Sequence, residues 1–539
     1  MKHFVPLAAL LLVFTVCLPQ GWAQTDQVSQ TDQTTQDSVP KQDSAPELAF
    51  PDEGDFRSMS WGAAFFAMHD FFSRAYAFGE WKQIPWDFMA SYFGQKIVAA
   101  EATKDRNAYR TALLEYLRMI PDGHVKLTSP LDDLKAQALG GSYGLGLAEL
   151  DDGAVVVAAT RATGPAARAG IPSGSRILSW NDIPIRAALV AADTRWFKNA
   201  ATKDDLALER LQALARAPVG TQARIEYIFP ASPSADAAPD TPDALGSPAG
   251  SAPQQNDAQS VQNIQSATLT AESDDFADLS LFDLAPVPTM EELRKNVEWR
   301  ILDNNIGYLR IYHVIHFDDM TKYPTEVTGA VAEALEAFHA AGVGSLILDL
   351  RGNRGGSDQV AADISGHFAD TKRFFESTAW YNAASGRFDL ANSDLFAQTF
   401  ALGDKPLWVE PREPHFRGQL VVLVNPATIS SGEGLAMAIG RLPNADVMGF
   451  YGTHGSFGLI PWPVAMPEDF WFEFPIGRSL NEHGRIQIDS DASGSGGVQP
   501  ELRVPRTLKN ISAYAAGIDV ELVYACQWLA AHSSPNLQH

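Results

Sequence analysis

The chain has 539 residues, which is long enough for more than one domain with a packed core. Hydrophobic residues make up 45% of it and aromatic residues 10%, a composition typical of globular rather than disordered proteins. Its 41 Lys and Arg residues stand against 65 Asp and Glu residues, which gives a formal net charge of −24. This charge argues against nucleic acid and anionic membrane surfaces as partners, because phosphate binding needs clustered Lys and Arg.

The first residues have the features of a signal peptide. Lys2 precedes an apolar run from Phe4 to Leu18, which is too short to span a bilayer comfortably. Small residues, Gly21 and Ala23, then occupy the −3 and −1 positions of a signal-peptidase site. We therefore predict a signal peptide over residues 1–23, a secreted or periplasmic location and no membrane span after cleavage.

Periodicity then predicts a helical domain. Residues 24–50 are rich in Gln, Asp, Ser and Thr, which predicts a disordered leader. Further on, Phe65, Met68 and Phe72 recur at spacings of three and four, as on one face of a helix. We predict a small N-terminal helical domain over residues 51–135.

A β domain and a polar insertion are predicted next. Short apolar runs such as Ala154–Thr160 and Arg176–Trp180 predict strands within residues 136–230. Residues 231–285 are instead dominated by Ala, Pro, Ser, Asp and Gln. Such a segment buries too little apolar surface to offset the entropy of ordering it, so we predict a disordered acidic insertion.

Strands and helices alternate in residues 286–539, the pattern of an α/β layer. The apolar runs Ile306–Ile311, Ser345–Leu350 and Leu420–Val424 predict buried strands, and Val327–Phe338 predicts a helix. The predicted fold class is therefore a multidomain α/β protein, with a helical domain and a β domain before an α/β core.

Two loops of this core follow apolar strands, where α/β sheets place ligands. Residues 349–356, DLRGNRGG, carry paired glycines whose N–H groups could form an oxyanion hole, although an ordinary strand-to-helix turn explains them equally well. Residues 425–433, NPATISSGE, place Ser430 at a strand-to-helix junction, where a helix N-terminus favours a nucleophilic hydroxyl. The alternative is that Ser430 only caps the helix, with Glu433 completing a capping box.

Taken together, these motifs resemble a known family. LILDLRGNRGG at 346–356, NPATISSGEGLA at 425–436 and GGVQPELRVP at 496–505 have the order and spacing of C-terminal processing peptidases and tricorn-like serine peptidases. Upstream, GSYGLGL, PAARAGI and GSRILSWNDIPI resemble a PDZ domain, and PDGHV at 121–125 is similar to the end of that family's helical bundle. The resemblance implies a PDZ-like domain over 136–230 and a ClpP/crotonase-like serine peptidase core.

The resemblance also implies the reacting groups. The family's nucleophile stands three residues before the Glu of a Ser-x-x-Glu motif, which is Ser430 here, with Ser431 as the fallback. The oxyanion donors would be the backbone N–H groups of Ser431 and of Gly355 or Gly356.

The general base departs from the family's Ser-Lys pattern. Gly455 takes the place of the lysine, and no lysine occurs between Lys405 and Lys509. The tricorn-like branch uses a histidine that corresponds to His124, whose ordinary pKa suits a base near neutral pH. His454, beside the vacated lysine position, is the rival base.

Two further roles follow from the resemblance. The acid that orients the histidine would be Asp489 or Asp491, of which we predict Asp491. Backbone N–H groups of Leu145, Gly146 and Leu147 could capture the terminal carboxylate of a peptide added as a strand. The alternative is a PDZ-like domain that has lost binding and only packs on the core.

The sequence thus predicts a secreted or periplasmic serine endopeptidase that acts on unfolded or C-terminally recognised proteins. No metal or cofactor is predicted, because the chain lacks HExxH and P-loop lysine motifs and its twelve histidines lack ligand spacing. Cys17 and Cys526 are too far apart for a CxxC metal site or a disulfide framework. Two alternatives stay open: an inactive family member that binds peptides or other ligands, and an envelope scaffold built on the PDZ-like domain.

Overall fold

The structure, a computed structural model, describes residues 48–230, 239–240, 263–394, 396–397 and 399–532. The predicted signal peptide and nearly all of the predicted leader lie outside the described residues. Within the described part of the chain, no helix is both long and apolar enough to cross a membrane.

The predicted N-terminal helices are confirmed, but they share their core with the C-terminal half of the chain. Phe65 and Phe72 line the buried face of the first helix, as their spacing predicts. They pack in one hydrophobic cluster with Phe472 and Phe474, and the ring centroids of Phe72 and Phe474 are 4.2 Å apart. The elements of this region are α1 (Trp61–Ala75), α2 (Trp86–Thr103), α3 (Arg106–Arg118), β1 (Lys126–Leu127) and α4 (Asp132–Leu139).

An antiparallel sheet forms the second region. Its strands run in the order β3-β4-β5-β8-β9, which leaves β3 at one edge. Alternation along the strands places Val155, Val157 and Ile225 in one buried cluster. The elements are β2 (Gly141–Ser142), β3 (Leu145–Glu149), β4 (Val155–Thr160), α5 (Pro165–Arg168), β5 (Arg176–Trp180), β6 (Ile183–Pro184), α6 (Ile185–Ala191), α7 (Lys203–Leu214), β7 (Arg216–Ala217), β8 (Gln222–Ile228), β9 (Ile264–Thr270) and β10 (Glu272–Ser273).

The predicted disordered insertion is wrong for residues 263–285. Here β9 pairs with β8 along its whole length, from Ile264 opposite Ile228 to Thr270 opposite Gln222. Backbone pairing and a few buried side chains, Leu269 among them, compensate for the polar composition that suggested disorder. Residues 231–238 and 241–262 lie outside the described part, so the prediction is not tested there.

The predicted α/β core is confirmed around a six-stranded sheet of order β11-β12-β13-β18-β19-β22. All its neighbouring strands are parallel except β11 and β12. Alternate residues enter two cores: Leu346 and Leu348 face α9, α10 and α11, whereas Ile347 faces α12 and α13. The elements are α8 (Met290–Lys295), β11 (Val297–Leu302), β12 (Ile306–Ile311), α9 (Thr325–Ala340), β13 (Ser345–Asp349), α10 (Asp358–Ser365), β14 (Arg373–Asn382), β15 (Arg387–Asp394), β16 (Thr399–Leu402), β17 (Leu407–Val409), β18 (Gln419–Leu423), α11 (Ser431–Gly440), β19 (Ala445–Gly449), β20 (Gly458–Met466), β21 (Phe470–Leu480), β22 (Leu502–Arg503), α12 (Leu508–Ala515) and α13 (Val520–His532).

A seven-stranded antiparallel sheet joins the helical region to this core. Its main order is β1-β21-β14-β15-β16, with β20 paired to β21 and β17 to β14. The short strand β1 pairs with β21 through Lys126 opposite Glu473. This pairing fixes the PDGHV motif, which lies directly before β1, on the α/β core.

Candidate active site

Ser430 stands in a strained turn between β18 and α11. Its backbone has φ 60° and ψ −136°, a region that non-glycine residues rarely adopt and that clusters at functional sites. Ser430 is half-buried and therefore partly accessible, whereas its neighbours on α11 are buried. The turn therefore presents the hydroxyl at the N-terminus of α11, as the motif predicts.

Glu433 holds this turn against the loop of residues 452–458. Its carboxyl accepts the Ser430 N–H at 3.2 Å, the Ser456 N–H at 3.0 Å, the Gly455 N–H at 2.7 Å and the Thr453 hydroxyl at 2.5 Å. Complete burial raises the pKa of Glu433 to about 8, against the lowering effect of these donors. Glu433 thus caps α11 by accepting the backbone N–H of Ser430. The capping interpretation and the nucleophile interpretation of this motif are therefore compatible.

Two backbone N–H groups are available as oxyanion donors. Neither the Ser431 N–H nor the Gly356 N–H has an acceptor within the described part of the chain. The Gly355 N–H, in contrast, donates to Asn353 Oδ1 at 2.9 Å. The prediction of Gly355 as an oxyanion donor is therefore wrong, because its N–H group is already hydrogen bonded to the side chain two residues earlier.

Gly355 serves instead to let the two loops meet. A Cβ atom at this position would lie 2.6 Å from Ser430 Cβ and 3.0 Å from the Ser431 nitrogen. Its φ of +74° also lies in the left-handed region that favours glycine. Glycine at position 355 therefore lets the loop of residues 349–356 pack against Ser430.

The fallback nucleophile, Ser431, is poorly placed for attack. It is buried, and its hydroxyl is hydrogen bonded to Asp358, whose pKa burial raises to about 6. Asp358 in turn contacts Glu376, another fully buried carboxyl with a raised pKa. This arrangement favours Ser430 over Ser431.

His124 lies beside a buried carboxylate, that of Asp122. Asp122 Oδ1 accepts the His124 N–H at 2.8 Å and lies 3.8 Å from the ring Nδ1, and Asp122 Oδ2 accepts the Tyr76 hydroxyl at 2.8 Å. A separation of 3.8 Å is longer than a hydrogen bond, so the ring is close to its acid without being locked by it. Burial lowers the pKa of His124, while Asp122 acts in the opposite direction.

Ser456 connects the segment of His124 to that of Ser430. Its carbonyl accepts the Ser430 N–H at 3.1 Å, and its Oγ accepts the Gly123 N–H at 2.9 Å. The residue before His124 and the nucleophile are therefore bonded to the same residue. The segments that carry the two residues assigned to catalysis are thus connected through Ser456.

His454, the rival base, has partners of its own. Its Nδ1 is 3.0 Å from Ser456 Oγ, and its Nε2 is 3.2 Å from Asp205 Oδ2 on α7. It is fully buried, which lowers its pKa well below the ordinary value. Both ring nitrogens thus face groups other than Ser430, and His454 joins the second region to the core.

The structure does not bring Asp491, the acid that we predicted, to the histidine. Its carboxylate accepts the N–H groups of Ser493 at 2.7 Å and Ser495 at 3.2 Å in a local turn. A turn of this kind satisfies Asp491 locally, which explains why it does not reach across the site. Asp122 is the carboxylate that lies beside the ring of His124.

The alternative acid, Asp489, forms a buried ion pair that the sequence did not reveal. Lys82 Nζ lies 2.8 Å from Asp489 Oδ1, with both side chains fully buried. Asp489 also accepts the Phe457 N–H at 2.7 Å, and burial raises its pKa to about 7 even though Lys82 lowers it. This pair ties the loop after α1 to the loop that carries Ser456.

We expect Lys82→Met to lower the free energy of unfolding by about 3–5 kcal/mol, because it leaves the Asp489 carboxylate buried without its counter-ion. Lys96→Met is the matched control: Lys96 pairs with Glu115 at 2.6 Å at a half-exposed position, where removal is expected to cost about 1 kcal/mol or less. Urea unfolding followed by circular dichroism measures both. Equal losses in the two variants would contradict the importance of the buried pair.

The proposed peptide-binding residues are Leu145, Gly146 and Leu147, which form the start of the edge strand β3. A Cβ atom at Gly146 would lie 2.5 Å from Phe282 Cβ. Phe282 therefore packs against the face of β3 at Gly146, in the cluster that also contains Ala148. As for metals, no group of three or more His, Cys, Asp or Glu side chains in the described residues could hold an ion.

Comparisons with known proteins give a family match and a shared fold. Residues 305–504 match the model of Peptidase family S41, a stretch that contains Ser430, Gly356 and Asp489 but not His124. No curated protein sequence matches the chain.

Among solved structures, mature CPAF is 14% identical, with a TM-score of 0.52 over 88% of this chain and 98% of its own. CPAF complexed with lactacystin is 13% identical, with a TM-score of 0.52 over 88% and 99%. A photosystem II D1 C-terminal processing protease is 17% identical, with a TM-score of 0.36 over 86% and 99%. At these identities, the likeness to CPAF shows a shared fold.

Proposed function

We propose that the protein is a serine endopeptidase with Ser430 as nucleophile and His124 as general base. The match of residues 305–504 to the model of Peptidase family S41, a family of serine-type peptidases, supports this proposal. The observation that carries this assignment is the convergence at Ser430. Ser430 is strained, the glycine loop of residues 349–356 packs against it, and Ser456 bridges its N–H to the histidine segment. The N–H groups of Ser431 and Gly356 have no acceptors in the described part of the chain.

The reaction would follow the acyl-enzyme route. His124 takes the proton of Ser430 as its Oγ attacks the scissile carbonyl carbon, and the N–H groups of Ser431 and Gly356 hold the oxyanion. His124 then gives the proton to the leaving amine, and a water molecule activated by the same ring releases the second product. Asp122 stabilises the imidazolium once the ring moves closer than its present 3.8 Å.

We propose protein and peptide substrates that are unfolded or recognised at their C-termini. Residues 136–230, extended by β9 and β10, would be a PDZ-like unit whose strand β3 binds the peptide end. The core over residues 286–532 would be of the ClpP/crotonase type. The signal peptide predicted over residues 1–23 supports a secreted or periplasmic site of action, which fractionation of the producing cells tests.

Digestion of an unfolded protein tests the proposed function. The chain from residue 24 is incubated with reduced casein, and the products are separated on a gel and identified by mass spectrometry. Internal cleavage of casein is the expected result. Intact casein in the presence of the folded protein would instead support the second candidate, a peptide-binding member without catalysis, which the 3.8 Å gap between His124 and Asp122 favours.

A further inference from the structure

Arg354, in the loop of residues 349–356, is a cation without a counter-ion in the described part of the chain. No hydrogen-bond acceptor, carboxylate or aromatic ring there is paired with its side chain. Arg351 of the same loop differs, because its guanidinium nitrogens lie 2.6 Å from Asp349 Oδ2 and 2.7 Å from Asp519 Oδ1. The first arginine of the RGNRGG motif is therefore structural, whereas the second has no partner that would explain it.

The surroundings of Arg354 make this lack of a partner costly. The residue is exposed, yet burial lowers the pKa of its guanidinium, so the side chain occupies a recess that is open to solvent. A partly desolvated charge without a partner is unfavourable. Carboxylates are not scarce, since the chain has 65 acidic residues against 41 basic ones. Unfavourable groups of this kind cluster at functional sites, which makes Arg354 a candidate for binding a ligand.

Arg354 projects from a fixed point next to the proposed nucleophile. Its N–H donates to the carbonyl of Tyr312 at 3.0 Å, directly after β12. The next residue, Gly355, packs so closely on the nucleophile that a Cβ atom there would lie 2.6 Å from Ser430 Cβ. A guanidinium held by such a backbone is pre-organised for binding, because little freedom remains to be lost at its base.

The charge of Arg354 acts on the side of the site that carries the histidines. Burial lowers the pKa of Lys126, and Arg354 adds to this lowering. Burial is also the main cause of the lowered pKa of His454, to which Arg354 contributes together with other cations. Lys126 follows His124 by two residues, and a Cβ atom at Gly123 would lie 2.4 Å from His454 Cε1. Since salt and water screen most charge interactions beyond about 10 Å, the Arg354 guanidinium lies close to the His124 segment.

Another cation on this side, Lys126, already has a counter-ion. Its Nζ lies 3.6 Å from Glu473 Oε1, and the Glu473 side chain is only 10% exposed. The two residues also face each other across strands β1 and β21. Arg354 is therefore better placed than Lys126 to pair with a ligand. Its planar guanidinium offers parallel N–H donors, which match the two oxygens of a carboxylate better than an ammonium does.

The chemistry proposed above assigns this side of the site to the leaving segment of the substrate. A general base that takes the serine proton passes it to the leaving amine, so the amine must form beside His124. The substrate residues directly after the scissile bond then pass close to Arg354. A carboxylate on one of them would give the guanidinium the counter-ion that the described fold does not provide.

We infer that Arg354 is a specificity-determining residue, which binds the side-chain carboxylate of an Asp or Glu residue directly after the scissile bond. The N–H groups of the guanidinium donate to the two carboxylate oxygens. Acidic side chains are thereby selected over neutral ones, and basic side chains are repelled. The inference rests on the proposed function, because the reaction defines which segment of the substrate leaves.

Selection from a peptide mixture tests this specificity. The full chain carrying Ser430→Ala is immobilised and exposed to a library of short random peptides with amidated C-termini, and the retained peptides are sequenced by mass spectrometry. We expect Asp and Glu to be enriched roughly tenfold over Asn and Gln, as a charge-assisted pair allows. A second library has free C-termini. Enrichment that follows the free terminus instead of the acidic side chains would contradict the inference.

Variants at position 354 sharpen this test. Arg354→Gln is expected to abolish the enrichment, Arg354→Lys to retain part of it, and Arg354→Glu to enrich Lys and Arg instead. Arg485→Gln is the matched control, because Arg485 is an exposed arginine in the loop after β21, and it is expected to behave like the background. Equal enrichment in Arg354→Gln and in the background, or no enrichment in the background, would overturn the inference.

Thermal unfolding separates a binding role of Arg354 from a structural one. Arg354→Gln is expected to melt at or above the temperature of its background, because it removes a partly desolvated charge that no described group compensates. A clearly lower melting temperature would show that this arginine stabilises the fold, which is the opposite of the expected result.

Digestion of the same library by the protein with Ser430 intact tests the position of the acidic residue. Asp and Glu are expected to be enriched directly after the cleaved bonds, whereas enrichment before them would overturn the placement at the leaving segment. Retention is measured without catalysis. A library that is bound selectively but not cleaved would therefore contradict the proposed function and leave the binding role of Arg354 standing.

Discussion

Replacing Ser430 by Ala is expected to lower kcat for casein or peptide hydrolysis by about 10⁴-fold or more, while substrate binding is retained. The reason is that the proposed mechanism makes its Oγ the attacking atom, whereas the hydroxyl of the adjacent Ser431 is buried beside Asp358. Initial rates with a fluorogenic peptide derived from a mapped casein cleavage site measure the loss.

Ser431→Ala is the matched control for this substitution. It removes a neighbouring hydroxyl that is buried against Asp358 but keeps the backbone N–H. We expect its kcat to stay within about tenfold of wild type, since an oxyanion donor of the main chain survives side-chain truncation. A larger loss in Ser431→Ala than in Ser430→Ala would move the nucleophile by one residue.

His124→Ala is expected to lower kcat about 10³-fold, because it removes the general base and, later in the cycle, the general acid. His454→Asn is the matched control. His454 contacts Ser456 and Asp205 rather than Ser430, so its replacement is expected to lower the melting temperature while kcat falls by less than about tenfold. A stronger loss of kcat in His454→Asn than in His124→Ala would assign the base to the loop where the lysine is missing.

The pH dependence of kcat is a second test of His124 as the general base. A general base works in its neutral form, and burial lowers the pKa of His124 below 6.5. Activity should therefore persist as the pH falls through 6.5 and decline only at the lower pKa of the buried ring. Asp122→Asn removes a charge that raises this pKa, so it should shift the decline to still lower pH. An unshifted profile would show that Asp122 does not act on the base.

The strands of the core could be predicted because buried strands have a recognisable pattern of apolar residues. Parallel strands covered on both faces are continuous apolar runs, and the predicted Ile306–Ile311 matches β12 residue for residue. The predicted helix Val327–Phe338 lies within α9 for the same kind of reason, since its apolar residues recur at helical spacing. The serine at the start of α11 could also be located, because its motif lies within a few consecutive residues.

The parts of the site that were missed depend on contacts between distant residues. Lys82 donates a hydrogen bond to the carbonyl of Ser490, which is 408 residues away in the chain. A single sequence contains no signal that two such distant positions are in contact. The prediction of Asp491 as the acid failed for the same reason, since it is the pairing of β1 with β21 that sets the histidine loop on the core. The Gly355 N–H donates to a side chain two residues away and is therefore not available to an oxyanion. A motif does not show such a local competition for a donor.

Residues 274–284, which follow β10, show the limit of composition as a guide to order. Their Asp and Ser residues suggested disorder, yet Asp274 and Asp278 are bound by Arg216 and Ser142 and therefore hold the segment in place. Acidic residues argue against an ordered, buried segment only while the groups that pair with them are unknown. Here those groups lie in the second region of the chain.

Covalent labelling of the nucleophile is the most direct measurement. The protein is treated with a fluorophosphonate, which reacts with serines that an active site has made nucleophilic, and the modified residue is identified by tandem mass spectrometry. We expect one adduct, on Ser430, formed in the wild type and in His454→Asn but much more slowly in His124→Ala. An adduct on another residue, or none on the folded wild-type protein, would contradict the assignment of Ser430 as the catalytic nucleophile.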